Sequence, residues 1–168
     1  APEVNCPEAI TAYTEEGRCT ASILLQAPQA LENCGDYIVE YRIFAPDNSV
    51  TPFRKYSAVT NAFDNGISQI EWRITDESGN VFDCLQEVSV LENEAPVMQC
   101  PVQTEYVFNN TPGLCGYRVT DTKLDAFATD NCGEVTLTHN FGAWSVQNSL
   151  QGALLPAGTT EIIWTAID

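Results

Sequence analysis

Apolar and polar residues alternate along most of this chain with a period of two. Tyr37-Ile38-Val39-Glu40-Tyr41-Arg42-Ile43 sets Tyr37, Val39, Tyr41 and Ile43 on one face. Ile70-Glu71-Trp72-Arg73-Ile74 turns Ile70, Trp72 and Ile74 inward and leaves Glu71 and Arg73 outside. Val88 and Val90 continue the alternation after Phe82 and Cys84. Such a period marks half-buried strands. Between them lie turn signals: Ala45-Pro46-Asp47-Asn48, Asp64-Asn65-Gly66 and Asp76-Glu77-Ser78-Gly79-Asn80. Their residues supply preset or positive φ and local side-chain hydrogen bonds. No stretch carries a strong amphipathic helix. About seven short strands with regular turns predict an immunoglobulin-like sandwich.

The pattern is written almost twice. Ala1-Pro2-Glu3-Val4-Asn5-Cys6-Pro7 returns as Ala95-Pro96-Val97-Met98-Gln99-Cys100-Pro101. Gly17-Arg18-Cys19 returns as Gly113-Leu114-Cys115, and Asn33-Cys34-Gly35 as Asn131-Cys132-Gly133. Gly66 to Trp72 returns as Gly158 to Trp164. These landmarks keep one order, with offsets drifting only between 92 and 98. Repetition at a steady period predicts tandem modules. The expected architecture is all-β: two immunoglobulin-like or fibronectin-like β-sandwiches over residues 1–94 and 95–168, with Trp72 and Trp164 anchoring the two cores. The second repeat stops at Asp168, the counterpart of Asp76, so it is expected to lack its final strand and to show an open sheet edge. A chain that starts at a repeat boundary and stops within a repeat reads as a piece of a longer secreted protein.

Modules this small bury modest cores and often need covalent support. Seven cysteines supply it, and no C-x-x-C pair points to zinc or to thioredoxin-like chemistry. Cysteine-rich small modules belong to oxidising, extracellular compartments. Cys19 and Cys34 flank a short segment, as do Cys115 and Cys132. Closing a loop of about 15 residues removes about 3 kcal/mol of unfolded-state freedom in the simplest model. Cys6 lies in the first expected strand and Cys84 in the last, and these strands can run side by side in a sandwich. Four cysteines allow three pairings. The expected set is Cys6–Cys84, Cys19–Cys34 and Cys115–Cys132, with Cys100 free or paired between molecules.

The net charge is −16. Residues 1–94 hold 16 acids and 5 bases, and residues 95–168 hold 7 and 2, giving −11 and −5. Such a surface disfavours nucleic acid and anionic lipid as partners. No segment reaches membrane-spanning length, so direct membrane insertion is not expected.

The run from Cys6-Pro7 through Gly17-Arg18-Cys19, Asn33-Cys34-Gly35, Gly66 and Trp72 to Thr75-Asp76-Glu77-Ser78-Gly79-Asn80 and Cys84 resembles a hyalin repeat (HYR). The second copy matches through Cys100-Pro101, Gly113-Leu114-Cys115, Asp130-Asn131-Cys132-Gly133, Leu155-Pro156-Ala157-Gly158-Thr159-Thr160 and Trp164 to Asp168. The resemblance spans essentially the whole chain. It implies an immunoglobulin-like fold and extracellular, cell-surface roles in adhesion. Arrays of such modules occur in sea-urchin hyalin, in sushi-containing animal proteins and in giant bacterial surface proteins. The acidic linker Leu91-Glu92-Asn93-Glu94-Ala95-Pro96 looks most like the bacterial arrays, the gliding adhesins of the SprB type among them. Two stretches depart from the pattern: the long aromatic segment with Phe44, Phe53 and Tyr56, and the insert Phe141-Gly142-Ala143-Trp144.

Three sets of residues are candidate sites. Asp76, Glu77 and Asn80 in a turn, with Glu92, Asn93 and Glu94 at the junction, offer hard oxygen ligands for Ca²⁺, the one cofactor considered. The competing reading is a solvated acidic turn and linker. Phe53, Tyr56, Phe141 and Trp144 could stack on a sugar or anchor a protein. Against that stands packing under long loops, the more frequent fate of aromatics. His139, the single histidine, aligns with Tyr41 on an inward face and reads as a core or rim residue. No nucleophile and no singled-out carboxylate pair accompanies it, so catalysis is not expected. The expected function is a non-catalytic stalk or adhesive contact unit. Its partners are a surface polysaccharide or protein and neighbouring repeats. The alternative is a carbohydrate- or protein-binding accessory module of a secreted enzyme.

Overall fold

In the computed structural model, residues 3–31, 36–142 and 148–168 are described. The chain divides into two compact units, Ala1–Asn93 and Glu94–Asp168. The sequence places that boundary one residue later. Every regular element among the described residues is a β-strand, and no helix there is long and apolar enough to cross a membrane.

The first unit runs β1 (Glu3–Asn5), β2 (Ile10–Tyr13), β3 (Thr20–Leu24), β4 (Gln29–Leu31), β5 (Tyr37–Phe44), β6 (Arg54–Lys55), β7 (Thr60–Asp64), β8 (Gly66–Asp76) and β9 (Val81–Leu91). One sheet has the order β2-β9-β8-β5-β6. Against it lie the antiparallel pairs β1–β4 and β3–β7. All pairings in the large sheet are antiparallel except β2 with β9, which run parallel from Ile10↔Val88 to Tyr13↔Leu91. The alternation in sequence becomes the division between core and surface. Ile70, Trp72, Ile74, Val88 and Val90 are fully buried, and Tyr41 nearly so. They meet Ala21, Ile23, Leu25 and Phe63 from the facing pairs. Val39 and Ile43 are partly buried against the same cluster, while Tyr37 at the strand end stays exposed. At about 25 cal/mol per Å² of apolar area removed from water, this cluster is the main stabilising term of the unit.

The second unit contains β10 (Val97–Gln99), β11 (Gly116–Arg118), β12 (Phe127–Thr129), β13 (Thr136–His139), β14 (Leu154–Pro156) and β15 (Trp164–Ile167). Its pairs β10–β12, β11–β14 and β13–β15 repeat β1–β4, β3–β7 and β5–β8. The register repeats too: Tyr41 lies opposite Trp72, and His139 opposite Trp164. Val119, Leu124, Ala126, Leu150, Ala153 and Trp164 form its core. Whereas β8 pairs on both sides, β15 pairs only with β13 among the described residues.

The repeated glycines have a backbone reason. Gly66 and Gly158 hold φ of 116° and 109°, and Gly17 and Gly113 hold 68° and 80°. A side chain is strained in these conformations, so both copies keep glycine there.

Candidate functional site

The outward face of β5, β8 and β9 carries the richest side-chain chemistry of the first unit. Register sets its rows. Arg42 lies opposite Glu71, which lies opposite Leu85; Glu40 lies opposite Arg73, which lies opposite Asp83. The Arg42 Nε donates to Glu71 Oε2 at 2.6 Å. Arg73 donates from Nε and Nη2 to the two Asp83 oxygens, each at 2.8 Å, in a fork-to-carboxylate geometry. The Arg73 hydrogen bond holds the Asp83 carboxyl below its ordinary range, against a smaller opposing effect of burial.

The segment after β5 folds back over this face. The Asp47 carboxylate accepts from the Ser49 N–H, Asn48 adopts a positive φ of 66°, and Thr51 N–H donates to the Ile43 carbonyl. The return brings Phe53 against both cations. The Arg42 and Arg73 guanidinium carbons lie 4.8 and 4.3 Å from its ring centroid. Arg42 also lies 5.0 Å from the Phe44 ring. Beside this assembly is an open groove of about 320 Å³, lined by Phe44, Gln69, Glu71, Asp83, Cys84 and Leu85. Leu85 stands exposed at its edge. An aromatic wall, an apolar edge and a polar floor can hold a sugar ring or a partner side chain. Arginine is also enriched in protein hot spots and phenylalanine in interface cores.

The other aromatic candidates separate. Tyr56 is corrected from a ligand contact to a structural residue. Its hydroxyl donates to the Leu25 carbonyl at 3.0 Å, and its ring meets Trp72 edge-on at 5.6 Å. The physical reason is the Tyr56 N–H, which bonds the Val39 carbonyl and directs the ring inward. Phe141 is partly buried against the second core. Trp144 lies outside the described residues. His139 meets Trp164 edge-on at 4.9 Å, and its Nδ1 accepts from the Phe141 N–H.

The two halves of the acidic set are not brought together. Asp76, Glu77 and Asn80 close the β8–β9 hairpin, whereas Glu92 to Glu94 follow the far end of β9. That strand has 11 residues, which puts the halves about 35 Å apart. Asp76 is already engaged: Oδ1 accepts from the Ser78 and Asn80 N–H groups, and Oδ2 from the Asn80 amide. Those donors, the Asn80 side chain foremost, lower its pKa. They close the hairpin turn from within.

Cys6 and Cys84 form a disulfide, with their Cα atoms 6.3 Å apart. Cys19 and Cys132 each take part in a disulfide, and Cys34 lies outside the described residues. The expected Cys115–Cys132 bridge is corrected: Cys115 is free and exposed, as is Cys100. Cys115 leads into β11, which pairs with β14, whereas Cys132 follows β12, which pairs with β10.

Sequence reading missed Arg42, Asp83, Leu85 and the groove. Glu71 and Arg73 were visible as outward charges, but the register that matches each to its partner was not.

No protein-family model matches the chain. It is 27% identical over 173 aligned residues to the sushi, von Willebrand factor type A, EGF and pentraxin domain-containing protein 1 of Rattus norvegicus, and likewise to that of Mus musculus. Each alignment covers all of this chain but only 4% of the relative, so the chain spans a small fraction of the curated proteins it resembles. Among solved structures, the fibronectin(III)-like modules of Clostridium thermocellum CbhA match with 12% identity and a TM-score of 0.33, over 56% of this chain and all of that one. The strand order and the stapled sandwich make this chain a disulfide-bonded immunoglobulin- or fibronectin-like repeat of an extracellular or secreted protein.

Proposed function

We propose that this chain is a pair of HYR-like modules in a large cell-surface adhesin, without catalytic activity, serving as stalk and contact unit. The observation that carries the reading is the duplication itself. Both units repeat the same three strand pairs, and Tyr41–Trp72 is matched by His139–Trp164. Arrays of this kind hold a binding tip away from a surface, or offer many weak contacts whose avidity accumulates. A surface polysaccharide or protein is the partner, and a gliding adhesin of the SprB type is the specific candidate. Glu71, Asp83 and Asp76 are held by arginines or by backbone N–H groups, which suits a structural role for them. Calcium has no place in this reading beyond stiffening the linker.

The groove beside Phe44 favours a second reading, an accessory module that binds glycan or protein for a secreted enzyme. Immunoblotting of surface and medium fractions from the producing cells separates the two. The adhesin reading expects a very large surface-attached band. A modest band confined to the medium would reject it and send the groove to glycan arrays.

A further inference from the structure

We infer that the first unit is a force-locked link, inextensible under tension along the chain until its Cys6–Cys84 disulfide is reduced. This rests on the stalk reading for its use, but its physics comes from connectivity alone. Cys6 directly follows β1, and Cys84 lies within β9, the last strand of the unit. Tension entering from the N-terminal side reaches Cys6, crosses the disulfide to Cys84 and leaves along β9. The 78-residue separation between the two cysteines is bypassed. All of β2 to β8, and Trp72 with most of the core, therefore lies off the load path.

What remains on the path has almost no length to give. Residues 84–91 are already strand, which rises about 3.3 Å per residue against a ceiling of about 3.6 Å for a fully extended chain. The short β1 is extended as well. Pulling thus tightens a covalent line instead of opening the sandwich.

Without the bridge the same unit is loaded differently. Tension would pass through the parallel β2–β9 ladder, from Ile10↔Val88 to Tyr13↔Leu91, with Thr14 N–H also bonded to the Leu91 carbonyl. Once those bonds sheared, the whole segment between the cysteines could pay out.

Release requires two-electron reduction of the bond, for which a dithiol suffices. The dithiol delivers two electrons and two protons to the S–S bond, yields two thiols, and leaves as its own cyclic disulfide.

The test is single-molecule stretching of the 168-residue chain held by handles at its ends, before and after dithiol treatment, alongside the Cys6→Ser/Cys84→Ser chain. Treatment should add up to about 260–280 Å of contour length for the 78 freed residues. The serine chain should show added length and one further unfolding step without reductant. Contour length at high force reads the lock even if the serine chain folds poorly. Full release from the oxidised wild-type chain, or no gain on reduction or in the serine chain, overturns the inference. The stalk reading would survive that result, because fractionation of the producing cells tests it separately.

Discussion

Trp72 shows how one residue organises a module this small. It is fully buried, with Tyr41 and Tyr56 packed at centroid distances of 5.5 and 5.6 Å. A buried indole N–H needs an acceptor, and Gln86 on β9 supplies one at 3.0 Å. The same Gln86 side chain donates to the Glu8 carbonyl at 2.7 Å, tying the approach to β2 onto β9. Alternation in the sequence announces an inward Trp72, but it gives no reason for a polar residue among Cys84, Val88 and Val90. The structure gives that reason, because Gln86 is the partner the tryptophan needs. Gln86→Ala leaves the indole N–H buried and unpaired, and should cost about 1–3 kcal/mol. Urea unfolding of wild type and variant measures it, and equal midpoints would contradict this role.

At the scale of elements, strand faces were legible and partners were not. Period-two patterning placed Ile70, Trp72 and Ile74 inward, because burial of alternate residues is a local property of a strand. Pairing is a long-range property. That Asp83 meets Arg73, or that Phe53 returns over Arg42, depends on register and on the turn that reverses the chain after β5. The cysteines show the same limit, since a short spacing suggested Cys115–Cys132 and Cys115 is free. The Arg73–Asp83 pair makes the point measurable. The folded-state pKa of Asp83 is depressed, chiefly by Arg73. Its stabilisation is therefore complete above the ordinary aspartate value of about 3.9 and is lost as pH falls through the lower folded value. The pair is solvent-exposed, so Asp83→Asn should lower stability by only about 0.2–1 kcal/mol. The gap between wild type and variant should be constant from pH 7 to 5 and shrink as pH falls below the ordinary aspartate value and through the lower folded one. Thermal melts across that range test this, and a gap that persisted in acid would show another cause.

At the scale of the molecule, the duplication was the most legible feature, because repeated landmarks survive divergence of the residues between them. The repeat places Cys100 where Cys6 stands, but these 168 residues hold no counterpart of Cys84 for it. Cys6 and Cys100 occupy the same place after equivalent strands, β1 and β10, yet one closes a bridge and the other is exposed and free. A cross-link stabilises mainly by restricting the unfolded chain, and the restriction grows with the loop it closes. For the 78-residue separation of Cys6 and Cys84, the chain-entropy relation gives about 4.5 kcal/mol. A free, exposed thiol restricts nothing. Cys84→Ser should therefore lower the unfolding free energy of the first unit by up to that amount, while Cys100→Ser should leave both units unchanged. Denaturant titration, followed by the resolved indole N–H resonances of Trp72 and of Trp164, reads the two units in one experiment. Trp72 lies in the core beside the bridge and should report the loss, while Trp164 in the other unit should keep its midpoint. Equal losses from both substitutions would mean that Cys100 is bonded in solution and that the two copies are stapled alike.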